Sequence, residues 1–235
     1  MKLYKEQNIK KIIQAIELDE YDDTIQDQAI EQEDFIPDVQ TFLDLFIKHG
    51  KVLEIGCGSG DSLGKFGINH GIEPCEKRFK KALEKSVKLG LDKNSILKNV
   101  SECIEFPAKT FDTILMINGF FQVRSDYESL IEINTALKIG GMFILNLLVN
   151  DEIDIVLGRC LGPKNYIRLL NQFGFELKSS HTCNAGKRFY PDSQETTIIC
   201  VEKVRDFNNK FLNLPQIMGK KNINNFIIER DWRLI

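Results

Sequence analysis

The sequence predicts an α/β domain built on a doubly wound, mostly parallel seven-stranded sheet with an antiparallel last strand. Three observations predict it. Between Val52 and Leu148 short apolar runs alternate with segments of helical periodicity, the pattern of parallel strands joined by helices on both faces of a sheet. The first run passes straight into three alternate glycines, Gly56, Gly58 and Gly60, a sharp turn at a strand's carboxyl end. Two runs rich in β-formers, 175–182 and 196–204, then follow each other with no helix between them, which points to an antiparallel hairpin closing the sheet edge.

The size fits one large domain with extensions. A chain of 235 residues, 43% hydrophobic and 28% charged, has the proportions of a globular protein able to bury its own core without disulfides. The division expected is an N-terminal helical extension and acidic connector over 1–50, a core over 51–205 and a C-terminal extension over 206–235. Thirty-one basic against 34 acidic residues give a net charge of -3, too balanced for delocalised nucleic-acid binding. The start of the chain has no signal-peptide apolar stretch, and the longest apolar run is about Met142 to Val149. No membrane span and a cytoplasmic location are therefore expected. The six cysteines, Cys57, Cys75, Cys103, Cys160, Cys183 and Cys200, form no C-x-x-C pair and read as buried reduced thiols. His49, His70 and His181 are too dispersed to outline a metal site, and none is expected.

Taken in order, Ile9, Ile12, Ile13 and Ile16 mark one face of an amphipathic helix. From Glu17 to Asp38 there are ten acids and no Lys or Arg, a solvated connector or a screen over a site. Pro37 opens a second helix with Val39, Phe42, Leu43, Phe46 and Ile47 at helical spacing, and Gly50 ends it. Strands are expected over 52–55, 68–73, 95–98 and 111–118, with about two helical turns in 61–69. A longer helix follows the second strand, with Phe79, Ala82, Leu83 and Val87 on one side. The next helix spans 126–138 until Gly140-Gly141 breaks it before a buried strand over 142–148. Residues 150–162 are mixed, a helix covers about 163–173, and the final hairpin turns through 184–193.

The glycine loop is the most informative segment. A dinucleotide fingerprint G-x-G-x-x-G needs a glycine where Asp61 or Leu63 stands. A phosphate P-loop needs one where Ser59 stands, and Phe66 follows Lys65 where Ser or Thr belongs. Asp61 at the start of the next segment also repels a pyrophosphate. What remains is an acid ahead of the glycines, in Glu54-Ile55-Gly56-Cys57-Gly58-Ser59-Gly60.

That segment resembles the first motif of the class I S-adenosylmethionine-dependent methyltransferases, of the type 11 kind, which have a Rossmann-like fold. Ile72-Glu73-Pro74 puts an acid where that family binds the ribose hydroxyls, and Leu137-Lys138-Ile139-Gly140-Gly141 is similar to its turn before the fifth strand. The resemblance spans roughly residues 37–204. It implies S-adenosyl-L-methionine as cofactor, held by Glu54, Gly56, Cys57, Gly58, Ser59, Gly60, Glu73, Pro74, Ser101, Glu102, Asn118 and Gly119. Many members have an aspartate where Val100 stands, so backbone groups of Ser101 and Glu102 are expected at the adenine edge. Asn118-Gly119-Phe120-Phe121-Gln122 lines the mouth, with Phe121 and Gln122 toward the substrate. Gly119 and Phe120 stand where amino-group methylases of this fold have two prolines, which argues against methylation of a nucleic-acid base or of glutamine. Cys57 reads as a small buried filler rather than a nucleophile, and His181 and Tyr190 as structural rather than as bases.

The implied activity is methyl transfer to a small-molecule acceptor. Positioning and water exclusion can supply most of the catalysis, and no general base is identified. The alternative is a non-catalytic cofactor-binding scaffold or partner subunit with the same fold. A nucleotide-sugar or NAD enzyme is disfavoured by the glycine spacing. Neither the acceptor atom nor the oligomeric state is legible.

Overall fold

The computed structural model describes residues 37–117, 123, 125–148, 163–183 and 196–208. Helix α1 covers Pro37–Phe46, strand β1 Val52–Ile55, β2 Ile68–Ile72, α2 Glu76–Lys88, β3 Ile96–Leu97 and β4 Phe111–Met116. They are followed by α3 (Asp126–Ala136), β5 (Leu137–Leu148), α4 (Pro163–Gln172), β6 (Phe175–Cys183) and β7 (Thr196–Lys203). The seven strands form one sheet in the order β3-β2-β1-β4-β5-β7-β6. All neighbouring pairs from β3 to β5 are parallel, and β7 runs antiparallel to both β5 and β6. The order reverses at β1 and β4, the switch point where such sheets open a crevice beyond the carboxyl ends of the strands.

Alternation along the strands builds two cores. Leu53 and Ile55 of β1, with Phe143, Leu145 and Leu147 of β5, face the layer of α3 and α4, where Leu130, Ile133, Leu169 and Leu170 are buried. Val52 of β1, Leu115 of β4 and Ile144 of β5 face the other layer, with Val39, Phe42 and Leu43 of α1 and Ala82 of α2. The period-two switch of faces fixes register, because a one-residue slip would exchange the two layers. Ser125 caps α3 by accepting the Glu128 N–H, the Ser-x-x-Glu start that satisfies an otherwise orphaned donor. Among the described residues no helix is long and apolar enough to cross a membrane.

Four expectations are corrected. The segment 61–67 contains no α-helix: after Gly60 the chain runs through turns and a single 3₁₀ turn at Lys65–Gly67. Gly64 and Gly67, and even Phe66, take left-handed φ there, which an α-helix cannot accommodate. Helix α3 ends at Ala136 rather than at the glycines, because Leu137 already pairs with Phe111 and a register irregularity absorbs the residues before Met142. On α2 it is Ser86 that is buried, while Val87 is 62% exposed. Cys57 and Cys200 are buried free thiols, but the free thiols of Cys75 and Cys103 are only partly buried. The stripe at Ile9–Ile16, residues 150–162, the hairpin loop 184–193 and the C-terminal extension from 209 lie outside the described residues.

Candidate cofactor site

Strand β1 and the end of β2 build the site together. The N–H groups of Gly56 and Cys57 both donate to the Ile72 carbonyl, at 2.8 and 3.1 Å, so the glycine loop is sewn to the carboxyl end of its neighbour. Gly56, Gly58 and Gly60 have φ of 75°, 56° and 78°, the left-handed region that glycine enters without strain. The last two glycines serve different ends. A Cβ on Gly60 would lie 2.7 Å from Leu63 Cδ1 and 3.1 Å from the Ala82 backbone, whereas one on Gly58 would meet nothing within 4 Å. Gly60 is small so that the loop can pack on α2. Gly58 turns bare backbone toward open space.

Two buried carboxylates flank this loop. Glu73, 3% exposed, follows β2 and is held in line by its own N–H on the Leu97 carbonyl at 3.0 Å. Its Oε2 accepts the Gly58 N–H at 3.0 Å and its Oε1 the Cys75 N–H at 2.9 Å. Each carboxylate oxygen can accept more than one hydrogen bond. Pro74, half-buried next to it, has no N–H of its own to compete for those oxygens. Glu54, 6% exposed, accepts a hydrogen bond from the Ser62 hydroxyl. Burial pushes the Glu54 carboxyl up to about 7, the Ser62 hydrogen bond opposes that rise, and the charges of Asp61 and Glu73 add to it. No ion pair to Glu54 is present among the described residues. Asp61 is exposed and paired with Lys85 of α2 at 2.7 Å, and Ser59 is half-buried in the loop.

The sequence-predicted residues separate into groups. Glu54, Gly56, Cys57, Gly58, Ser59, Gly60, Glu73 and Pro74 come together at the ends of β1 and β2. Burial holds the Cys57 thiol well above its ordinary range, in keeping with a filler and against a thiolate nucleophile. Ser101 and Glu102 follow β3, but their side chains turn to one another and to α3. Ser101 Oγ donates to Glu102 Oε2 at 2.9 Å, and Glu102 Oε1 accepts the Ser125 N–H at 2.9 Å. Glu102 thus ties the loop after β3 to the first turn of α3. Asn118, Gly119, Phe121 and Gln122 lie outside the described residues, as does Tyr190, and His181 is exposed on β6. Among the described residues no group of three or more His, Cys, Asp or Glu is arranged to hold a metal. Ser62 is the site residue that sequence reasoning missed: eight positions from Glu54, it carried no periodic signal.

Residues 53–145 match the family described as methyltransferase domain. No curated protein matches the sequence. Among solved structures, a SAM-dependent methyltransferase from Thermotoga maritima, described as a possible histamine N-methyltransferase, is 21% identical at a TM-score of 0.55, covering 70% of this chain and 87% of that one. Geranyl diphosphate C-methyltransferase from Streptomyces coelicolor, solved with Mg2+, geranyl diphosphate and S-adenosyl-L-homocysteine, is 13% identical at 0.56, covering 71% and 79%. The cyclase SpnF is 14% identical at 0.56, covering 73% and 80%. These likenesses establish the fold. Together, the domain match over 53–145 and the sheet order give the chain the class I methyltransferase fold.

Proposed function

We propose that the protein is an S-adenosylmethionine-dependent methyltransferase acting on a small-molecule acceptor. The observation that carries this reading is Glu73, a buried carboxylate fastened to the Gly58 N–H beside open space. The residues fit the cofactor's chemistry. Glu73 can accept from a pair of ribose hydroxyls, the bare Gly58 backbone admits a ligand in van der Waals contact, and Glu54 offers an anion to a cationic group. A phosphate ligand would instead be repelled by the acids Glu54, Asp61 and Glu73. When bound, S-adenosylmethionine supplies an electrophilic methyl group on a sulfonium whose departure leaves a neutral thioether. The chain's own contribution is then to hold the donor end at the β1–β4 crevice, align the acceptor and exclude water. In this reading backbone groups of Ser101 and Glu102 serve the adenine edge, Asn118 and Gly119 the cofactor, and Phe121 and Gln122 the acceptor. The acid-rich 17–38 segment supports a small or cationic acceptor over a polyanion, and the expected location is the cytoplasm.

Calorimetric titration with S-adenosylmethionine, S-adenosylhomocysteine and NAD, on the wild type and Glu73→Ala, tests the reading. The two adenosyl ligands are expected to bind and NAD not. At 100 times its Kd a ligand should add about 2.7 kcal/mol of stability. Glu73→Ala should weaken binding by about 100-fold, the loss of charge-assisted hydrogen bonds in a buried site. A folded wild type that binds neither adenosyl ligand overturns the proposal and favours a scaffold that keeps only the fold.

A further inference from the structure

The segment 61–67 lacks the helix expected of it, and its folding puts a hydroxyl on Glu54. Four successive backbone hydrogen bonds fold it tightly: Gly60 N–H to the Cys57 carbonyl, Leu63 N–H to Gly60, Lys65 N–H to Ser62, and Gly64 N–H to Ile68, all between 2.9 and 3.1 Å. Ser62 is fixed in the middle of this run, and its hydroxyl reaches back to Glu54 Oε2. The glycine loop is therefore closed into a ring, with β1 at one end and the crossover at the other.

Among the described residues, the charges that act on Glu54 are acidic. Asp61 comes from the crossover and is paired with Lys85 of α2, Glu73 comes from the end of β2, and the Cys57 thiol from the loop itself. A buried carboxylate in that company faces the wrong way or takes up a proton unless a donor holds it. We propose that Ser62 is a positioning residue of the cofactor site, whose hydroxyl turns the Glu54 carboxylate to the loop and favours its ionised form so that it can receive the ligand's cationic end. This rests on the S-adenosylmethionine reading and adds to it a residue and a pH dependence.

The isosteric pair Ser62→Thr and Ser62→Val separates the hydroxyl from its shape, with S-adenosylhomocysteine, which keeps the cationic ammonium, as the probe. The dissociation constant is measured between about pH 6 and 8.5, and the Glu54 carboxyl is followed by carbon NMR in the ligand-free protein. Ser62→Val should weaken binding about 10-fold near pH 6.5, the scale of one hydrogen bond to a charged group, narrowing to about 3-fold near pH 8.5 where Glu54 is ionised without help. Its Glu54 titration midpoint should rise, while Ser62→Thr follows the wild type in both measurements. If Val and Thr behave alike, or if the Val deficit is the same at every pH, Ser62 is only structural and the inference fails. A wild type that binds no S-adenosylhomocysteine sinks the functional reading instead, so the two failures are told apart.

Discussion

The two ends of the same sheet handle their acids in opposite ways. At the amino end of the parallel strands, Asp112 accepts the Lys51 N–H at 3.0 Å and pairs with Lys138 at 2.7 Å. Burial alone would raise its carboxyl, but the Lys138 and Lys51 contacts outweigh it and hold it below the usual aspartate range. Glu202 sits between Lys178 at 2.5 Å and Lys48 at 3.7 Å and is held low by both. Even the wholly buried Lys203 is served there. Its Nζ donates to the carbonyls of Asn134 and Leu137, at 2.5 and 2.9 Å, and pairs with Asp206 at 2.8 Å. At the carboxyl end, Glu54 is as deeply buried but pairs with no cation among the described residues, and its carboxyl is pushed up. One end is compensated for stability. At the other, no cation among the described residues faces Glu54, as the proposed function needs of a site for a cationic group.

The largest effect on the fold is expected from removing the compensation at the amino end. Lys203→Met keeps the volume but takes a charged donor from the Asn134 and Leu137 carbonyls and one of the two lysines that pair with Asp206. Chemical denaturation should show a loss of about 3 kcal/mol, with affinity for S-adenosylhomocysteine unchanged in the folded fraction. A variant as stable as the wild type would mean that those carbonyls find water and that the amino end is less tightly made than its contacts imply.

A smaller effect on the fold, and a larger one on the ligand, is expected from Gly58→Ala. Its Cβ would point into open space, so the cost to stability is only the strain of a left-handed alanine, about 1 kcal/mol. Binding should weaken at least 10-fold, because that space is where the ligand must approach. Thermal unfolding and calorimetry on one preparation read both. Unchanged affinity would put the ligand elsewhere.

Much of the fold was legible because its signals are periodic. The run Val52 to Ile55 reads as a buried strand and is one, and the hairpin followed from two β-rich runs with no helix between them. The site's acids were legible through Glu54 and Glu73, each at a strand end beside the glycines. What was not legible depends on contacts distant in sequence. A lysine such as Lys203 reads as solvent-facing, and only the end of α3 packed over it makes its burial affordable. Leu137 to Gly141 reads as a helix end and break, yet pairing with Phe111 draws it into β5. The crossover 61–67 offers Leu63 and Lys65 for a helix, but Gly64 and Gly67 and the return hydrogen bond from Ser62 fold it into tight turns. Glu102 is expected to offer backbone groups, and nothing in the sequence shows that its side chain ties down the Ser125 N–H.

The carboxyl end tolerates an unfavourable buried carboxylate, Glu54, which under the proposed function meets the cationic end of the ligand. The folded protein keeps the Glu54 proton up to about pH 7, whereas the unfolded chain releases it near its ordinary 4.5. Stability from this group therefore falls as pH rises from about 4.5 to about 7, by about 3 kcal/mol in all, and stays down above that. The measurement is the thermal unfolding of wild type and Glu54→Gln at about pH 8 and about pH 5, with and without S-adenosylhomocysteine. Without ligand, Glu54→Gln should melt higher than wild type at the upper pH, by on the order of 10 °C, and about equally at the lower. With ligand the wild type should gain more than the variant and close the gap. If Glu54→Gln instead melts below the wild type at the upper pH and gains as much from the ligand, Glu54 is a structural acid like Asp112 and the contrast between the two ends is wrong.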